Sequence, residues 1–115
     1  MRTAGLHSLE IYKKAGVKIG YGSDLLGPSQ RLQSDEFRIR AEVLSAQEVI
    51  QCATTTAAEV LDQVGHLGRS ETGALADILL VDGNPYRDLS CLLGQGEHIP
   101  LIMKGGVIEH NALGV

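Results

Sequence analysis

Several residue types that mark nucleic-acid-binding or membrane proteins are scarce in this sequence. Its 115 residues include no tryptophan and one phenylalanine, and the ten lysines and arginines are scattered along a chain of net charge −4. That balance argues against nucleic acid or an anionic membrane as a partner. No stretch approaches the roughly 18 apolar residues of a membrane span, and the opening MRTAGLHSLEIYKK lacks the apolar centre of a signal peptide. We therefore expect a cytoplasmic protein.

Cysteine and histidine are also few. Cys52 and Cys91 lie far apart and form no CxxC or Cys/His spacing, which favours buried thiols over a disulfide or a zinc site. The histidines stand at positions 7, 66, 98 and 110, and no two of them form an HxH or HExxH motif. Solvated or capping roles are therefore expected for these histidines rather than metal ligation.

The most informative feature that is present is an apolar segment running into one acid. Val17 to Tyr21 has the composition of a buried strand, and the chain continues through Gly22 and Ser23 to Asp24. In parallel α/β folds the carboxyl ends of strands carry the chemistry, so Asp24 is the first candidate site residue. The spacing alone also fits an Asx-turn or helix-cap aspartate, which is the commoner origin of such a pattern.

Helical patterns dominate the first half of the chain and strand patterns the second. A first helix should end near Gly16, and others are predicted over 34–44, 46–53 and 56–63, with Ser45 and Glu48 as a capping box. Strands are predicted over 76–81, 100–103 and 107–109, with Gly105 and Gly106 as a hairpin turn. We expect an α/β part, residues 1–64, and a small β part, residues 65–115.

Four sequence blocks, taken in order, resemble the C-terminal part of the metal-dependent amidohydrolase superfamily. They are GSDLLG (22–27), QSDEF (33–37), ATTTAA (53–58) and GRSETGALADILLVDGNP (68–85). The first two are similar to the GTDLLG and QxxEF of the branch that holds imidazolonepropionase-like enzymes and dipeptidases cleaving before proline or arginine. Each block alone is weak, but the ordered set is fairly specific.

This resemblance implies a fold and an activity. Residues 1–64 would be the last strand and helices of a (β/α)8 TIM barrel, and residues 65–115 the C-terminal part of a composite β-sandwich. The implied reaction is hydrolysis of C–N bonds in dipeptides or cyclic amides by a water activated on a divalent metal, expected to be zinc. Asp24 matches the family's aspartate that binds this metal and takes the proton of the water.

The chain also departs from the family pattern. The HxH pair, the bridging lysine and two later histidines of that family have no counterpart here, and a complete barrel needs about 250 residues. We therefore expect a C-terminal fragment that binds no metal and is inactive by itself. The alternative hypothesis is a structural or oligomerising module that retains the family signature without its catalytic centre. Unpaired strand edges in either case predict a homo-oligomer.

The loop after Asp24 supplies two further candidates. Relatives commonly carry a histidine between positions 27 and 33, whereas Gln30 occupies the nearest matching position here and offers hydrogen bonds without proton transfer. Arg31, and similarly Arg38, could bind a substrate carboxylate through two parallel hydrogen bonds, although exposed helix arginines are the default interpretation. Gln30 and Arg31 are therefore the candidate substrate-binding residues.

Overall fold

The computed structural model describes residues 2–114, and its first half is helical. The four α-helices are α1, Arg2–Lys14; α2, Asp35–Arg40; α3, Ala46–Ala53; and α4, Thr55–Val60. A 3-10 helix, Gly27–Leu32, precedes α2. Helix α1 ends at the predicted place, because Gly16 adopts a φ of 71° that glycine reaches without a steric penalty. None of the helices within residues 2–114 has the length and apolarity needed to cross a bilayer.

The start of α3 was predicted correctly from the sequence, whereas the ends of α2 and α4 were not. The predicted capping box is confirmed, since Ser45 Oγ accepts from the Glu48 amide at 3.2 Å and Glu48 Oε2 accepts from the Ser45 amide at 2.8 Å. Helix α2 stops at Arg40 rather than continuing to Leu44, because the chain tightens there and the amides of Glu42 and Val43 bond to carbonyls three residues back instead of four. Helix α4 stops at Val60, since Asp62 is left-handed with a φ of 55°.

The predicted strand at Val17 to Tyr21 is wrong for this chain. Residues 17–26 adopt no regular secondary structure, because within residues 2–114 no strand lies alongside them to form a hydrogen-bonded ladder. The backbone of this segment bonds to helices instead, from the Val17 amide to the Tyr12 carbonyl at 3.1 Å and from the Tyr21 amide to the Cys52 carbonyl at 2.9 Å. Apolar side chains of the segment still contribute to packing, since Ile19 and Tyr21 lie against the core.

A small antiparallel sheet forms most of the regular structure in the second half. Its strands are β1, Ile78–Leu80; β2, Leu101–Lys104; and β3, Val107–Asn111, in the order β1-β2-β3. Gly105 and Gly106 form the predicted hairpin turn, with φ values of 57° and 84° that suit a two-residue turn of type I′. The register shifts between Ile102 and Met103, which pair with His110 and Ile108 and leave an extra residue as a bulge.

One hydrophobic core contains residues from both halves of the chain. Leu44, Val49 and Cys52 from the helical half pack with Leu89, which lies in the short 3-10 helix Leu89–Leu92. Val49 is completely buried. Cys52 and Cys91 are buried free thiols, as their spacing predicts. The core therefore places the second half of the chain against α2 and α3, beside the segment that leads to Asp24.

Candidate functional site

Asp24 lies on an exposed loop, in a conformation that few residue types adopt. Its φ is 51°, in the left-handed region, where aspartate and asparagine are more common than most other residues. The residue capping the following 3-10 helix is Leu26 and not Asp24. Within residues 2–114 the Asp24 carboxylate has no hydrogen-bond or ion-pair partner, so neither the Asx-turn nor the helix-cap interpretation describes it. The carboxylate is therefore open to a ligand.

Three hydrogen bonds fix the segment that precedes Asp24. The Tyr21 amide donates to the Cys52 carbonyl at 2.9 Å, and the Tyr21 hydroxyl donates to the Gln33 carbonyl at 2.9 Å. The third donor is Arg40, whose Nη1 reaches the Gly20 carbonyl at 2.8 Å. These bonds join the segment to α3, to the turn before α2 and to α2 itself. Asp24 therefore follows a backbone that is held on several sides.

Arg40 is the central member of this network, and it was not among the site residues predicted from the sequence. It is 9% exposed, and its Nε donates to Glu36 Oε1 at 3.0 Å, one helical turn earlier. Its guanidinium also lies 5.2 Å from the centre of the Tyr21 ring, within cation–π range. The Glu36 to Arg40 spacing of four residues was the available signal. Arg38, a possible substrate-binding residue by its sequence, is exposed, and its Nη2 lies 3.9 Å from Asp35 Oδ2.

Tyr21 contacts both Arg40 and Phe37, an aromatic residue that packs against the core. Its ring centroid lies 4.6 Å from that of Phe37, at an interplanar angle of 32°. Burial, and secondarily the negative charge of Glu36, raise the pKa of the Tyr21 phenol to about 12. The phenol is therefore protonated at neutral pH and remains a hydrogen-bond donor to the Gln33 carbonyl. Burial likewise raises the pKa of the Cys91 thiol, which keeps that buried thiol protonated.

The two candidate substrate-binding residues lie on the loop that follows Asp24. Gln30 and Arg31 are both exposed in the 3-10 helix Gly27–Leu32. The Gln30 carbonyl accepts a hydrogen bond from Gln95 Nε2 at 3.3 Å, and the Gln30 side chain forms no hydrogen bond within residues 2–114. Arg31 likewise forms no ion pair within that range. The structure thus brings both onto one exposed surface loop with Asp24, although within residues 2–114 neither forms a hydrogen bond or ion pair with its carboxylate.

The described residues do not make a metal site by themselves. Within residues 2–114, no group of three or more His, Cys, Asp and Glu side chains is arranged to hold a metal ion. Catalytic zinc sites use about three protein ligands, whereas Asp24 would supply one oxygen donor. His7 and His98 lie near Glu10 and Glu97 in exposed pairs at 3.8 Å and 3.4 Å, away from Asp24 in sequence. Any further metal ligands would have to come from outside these residues.

Comparison with known proteins gives consistent matches over this fold. The amidohydrolase family model matches residues 2–108. A crystal structure of an amidohydrolase is 64% identical with a TM-score of 0.94, over 96% of this chain and 27% of that chain. A prolidase complexed with N-methylphosphonate-L-proline is 46% identical with a TM-score of 0.90, over 93% of this chain and 26% of that chain. Imidazolonepropionase of Rubrobacter xylanophilus is 41% identical over 63 residues, which is 55% of this chain and 15% of that protein.

These matches also set the extent of the similarity. The chain spans about a quarter of the two solved structures, 27% and 26% of their lengths. The helices and the small sheet superimpose together on these barrel proteins, which confirms the predicted fold class, a fragment of a TIM-barrel amidohydrolase with part of its small β domain. The family match, residues 2–108, includes Asp24, the loop after it and most of the sheet. The chain belongs to the amidohydrolase family.

Proposed function

We propose that this chain is part of a metal-dependent amidohydrolase that hydrolyses C–N bonds in dipeptides or cyclic amides. The observation that carries the proposal is the Asp24 carboxylate, which has no partner within residues 2–114 and follows a segment fixed by three hydrogen bonds. A catalytic carboxylate needs both properties, a fixed position and an open coordination sphere. The similarity to a prolidase and to an imidazolonepropionase supports this substrate class.

In the complete barrel, Asp24 would be both a metal ligand and a proton acceptor. A carboxylate is a hard oxygen ligand and also a base, which suits both tasks. A bound divalent metal, expected to be zinc, would lower the pKa of its water to about 7. Asp24 would hold the proton released from that water and pass it to the departing nitrogen. Gln30 and Arg31 would contact the substrate from the adjoining loop.

The arrangement of the chain in such an enzyme follows the predicted division. Residues 1–64 would supply the end of the barrel and residues 65–115 part of the β-sandwich. The core shared by Val49 and Leu89 supports a fixed contact between these two parts. We place the enzyme in the cytoplasm, in agreement with the composition, and zinc in a site completed by ligands from other barrel strands.

A second candidate function is a catalytically inactive module that oligomerises. The observation in its favour is the sheet, because β1 and β3 each have one edge without a partner strand within residues 2–114. Apolar side chains on these strands are exposed, at 50% for Leu79, 60% for Val107 and 50% for Ile108. Exposed apolar edges recruit other strands. This candidate predicts a homo-oligomer in light scattering, whereas a compact monomer of 12.3 kDa would contradict it.

The experiment that separates the two candidates uses a chimera. In this prolidase-host chimera, the chain replaces the matching quarter of the prolidase to which it is 46% identical. We expect the chimera to hydrolyse Xaa-Pro dipeptides in a reaction that EDTA abolishes, and the 115-residue chain alone to show no turnover with added zinc, cobalt or manganese. A folded chimera without activity, beside an active parent prolidase, would contradict the enzymatic proposal and favour the module.

A further inference from the structure

We infer that Gln95 is a positioning residue, which holds the loop after Asp24 in place from the other half of the chain. This inference rests on the proposed function, because the loop matters to catalysis only if Asp24 and its neighbours form part of the site. The loop in question, here called the site loop, comprises residues 25–34 and includes Gln30 and Arg31. Gln95 lies more than 60 residues further along the chain, since its hydrogen-bonded partners are 61 and 65 positions away.

The backbone of Gln95 is the first sign of a constraint. Its φ and ψ are 56° and 40°, in the left-handed region, between Gly94 and Gly96, which also have positive φ values. A third glycine would adopt this conformation without strain, whereas a glutamine there has a steric penalty. Such strain persists where surrounding contacts determine it, and it is concentrated at functional positions.

The side chain of Gln95 supplies those contacts, and both ends of its amide are used. Gln95 Oε1 accepts from the Ser34 hydroxyl at 3.1 Å, and Gln95 Nε2 donates to the Gln30 carbonyl at 3.3 Å. The carbonyl of Gln30 can only accept, which sets the orientation of the amide. Gln95 therefore connects two points of the site loop, one inside the 3-10 helix Gly27–Leu32 and one just after it.

Gln95 and Tyr21 hold the site loop in complementary ways. The Tyr21 hydroxyl bonds the Gln33 carbonyl, from the core side, while Gln95 bonds Gln30 and Ser34 from the β part. Both hydrogen bonds of the Gln95 side chain go to the site loop, and neither goes to the segment 17–21 that precedes Asp24. Loss of the Gln95 amide should therefore release Gln30 and Arg31 and leave the carboxylate in place, so that substrate binding weakens and the chemical step is retained.

The kinetic test uses the prolidase-host chimera with two variants of Gln95. Gln95→Ala removes the amide, whereas Gln95→Asn keeps an amide and favours the left-handed backbone but is one methylene too short to reach both partners. We expect KM to rise about tenfold in both variants, with kcat within about threefold of the parent chimera. Gln47→Ala is the matched control, because Gln47 is exposed on α3 and its side chain forms no hydrogen bond within residues 2–114, and it should leave KM and kcat unchanged.

A second measurement does not depend on activity. In the 115-residue chain, hydrogen exchange of the site-loop amides should accelerate in Gln95→Ala by at least fivefold, while exchange over residues 17–21 stays as in the parent. Unchanged KM together with unchanged exchange would overturn the inference. A fall in kcat as large as the rise in KM, with both following the loss of thermal stability, would also overturn the inference. That result would favour a purely stabilising contact. If Asp24→Asn retains activity, the proposed function fails, whatever the Gln95 variants show.

Discussion

Replacing Arg40 by alanine should be the most damaging substitution among the charged residues of α2. The change removes the donor to Glu36 Oε1 at 3.0 Å, the donor to the Gly20 carbonyl at 2.8 Å and the cation over the Tyr21 ring. It also leaves the Glu36 carboxylate, whose side chain is 25% exposed, without its counter-ion. Two of these losses, at Gly20 and at Tyr21, act on the segment that leads to Asp24, and the third acts within α2.

The free energy of unfolding that Arg40→Ala should lose follows from the burial of the ion pair between Arg40 and Glu36. Removing one partner of a buried ion pair costs about 3–5 kcal/mol, because the remaining charge is left uncompensated. The Arg40 side chain is 11% exposed, but water can reach Glu36, so the lower end of that range, about 3 kcal/mol, is expected. Arg40→Lys keeps the charge but cannot make both hydrogen bonds in the same geometry, and should lose about half as much.

The assay is urea unfolding followed by circular dichroism at one fixed chain concentration. Arg38→Ala is the matched control, because it removes an arginine from the same helix whose ion pair with Asp35, at 3.9 Å, is exposed. An exposed pair of this kind contributes no more than about 0.5 kcal/mol. If Arg40→Ala lowered the free energy of unfolding by less than about 1 kcal/mol, or by no more than Arg38→Ala, the anchoring role of Arg40 would be refuted.

Three further predictions concern stability and its dependence on pH. Ser45→Ala should lower the free energy of unfolding by about 1 kcal/mol through loss of the cap. The hydrogen bond from the Ser45 amide lowers the pKa of Glu48 most, and the one from Lys13 lowers it further. The Glu48 carboxylate should therefore stabilise the fold above pH 4.5, and this stabilisation should be lost as the pH falls further. Acid unfolding of the parent and of Glu48→Gln would reveal the difference. The phenol of Tyr21 has a raised pKa of about 12 against the ordinary 10.0, so stability should fall as the pH rises through this interval. A Tyr21→Phe variant that showed the same alkaline loss would contradict that assignment.

Short-range signals explain what the sequence predicted well. Ser45 and Glu48 are three residues apart, and Gly105 and Gly106 are adjacent, so each pair determines its local structure without help from the rest of the chain. The order of the four family-like blocks was likewise readable, and the family match over residues 2–108 confirmed it.

Long-range contacts explain what the sequence did not predict. The segment 17–21 has strand composition, but a strand requires neighbours, and residues 2–114 provide none beside it. Arg40 lies 20 residues from Gly20, and Gln95 lies 61 residues from Ser34, so no periodicity links either pair. For the candidate site, the sequence indicated Asp24 and its loop, whereas the residues that hold them in place required the tertiary structure.

The most direct test of the central claim is kcat of the Asp24→Asn variant in the prolidase-host chimera. Asparagine is nearly isosteric with aspartate but accepts no proton, so kcat should fall by about 10²–10⁴ at an unchanged thermal midpoint. Asp77→Asn is the control, because Asp77 Oδ1 accepts from the Gly105 amide at 2.8 Å in the sheet. It should change stability by roughly 0.5–2 kcal/mol and leave kcat near the parent value. If Asp24→Asn kept kcat within about threefold of the parent, or if Asp77→Asn reduced kcat more at unchanged stability, the assignment of Asp24 as ligand and base would be contradicted.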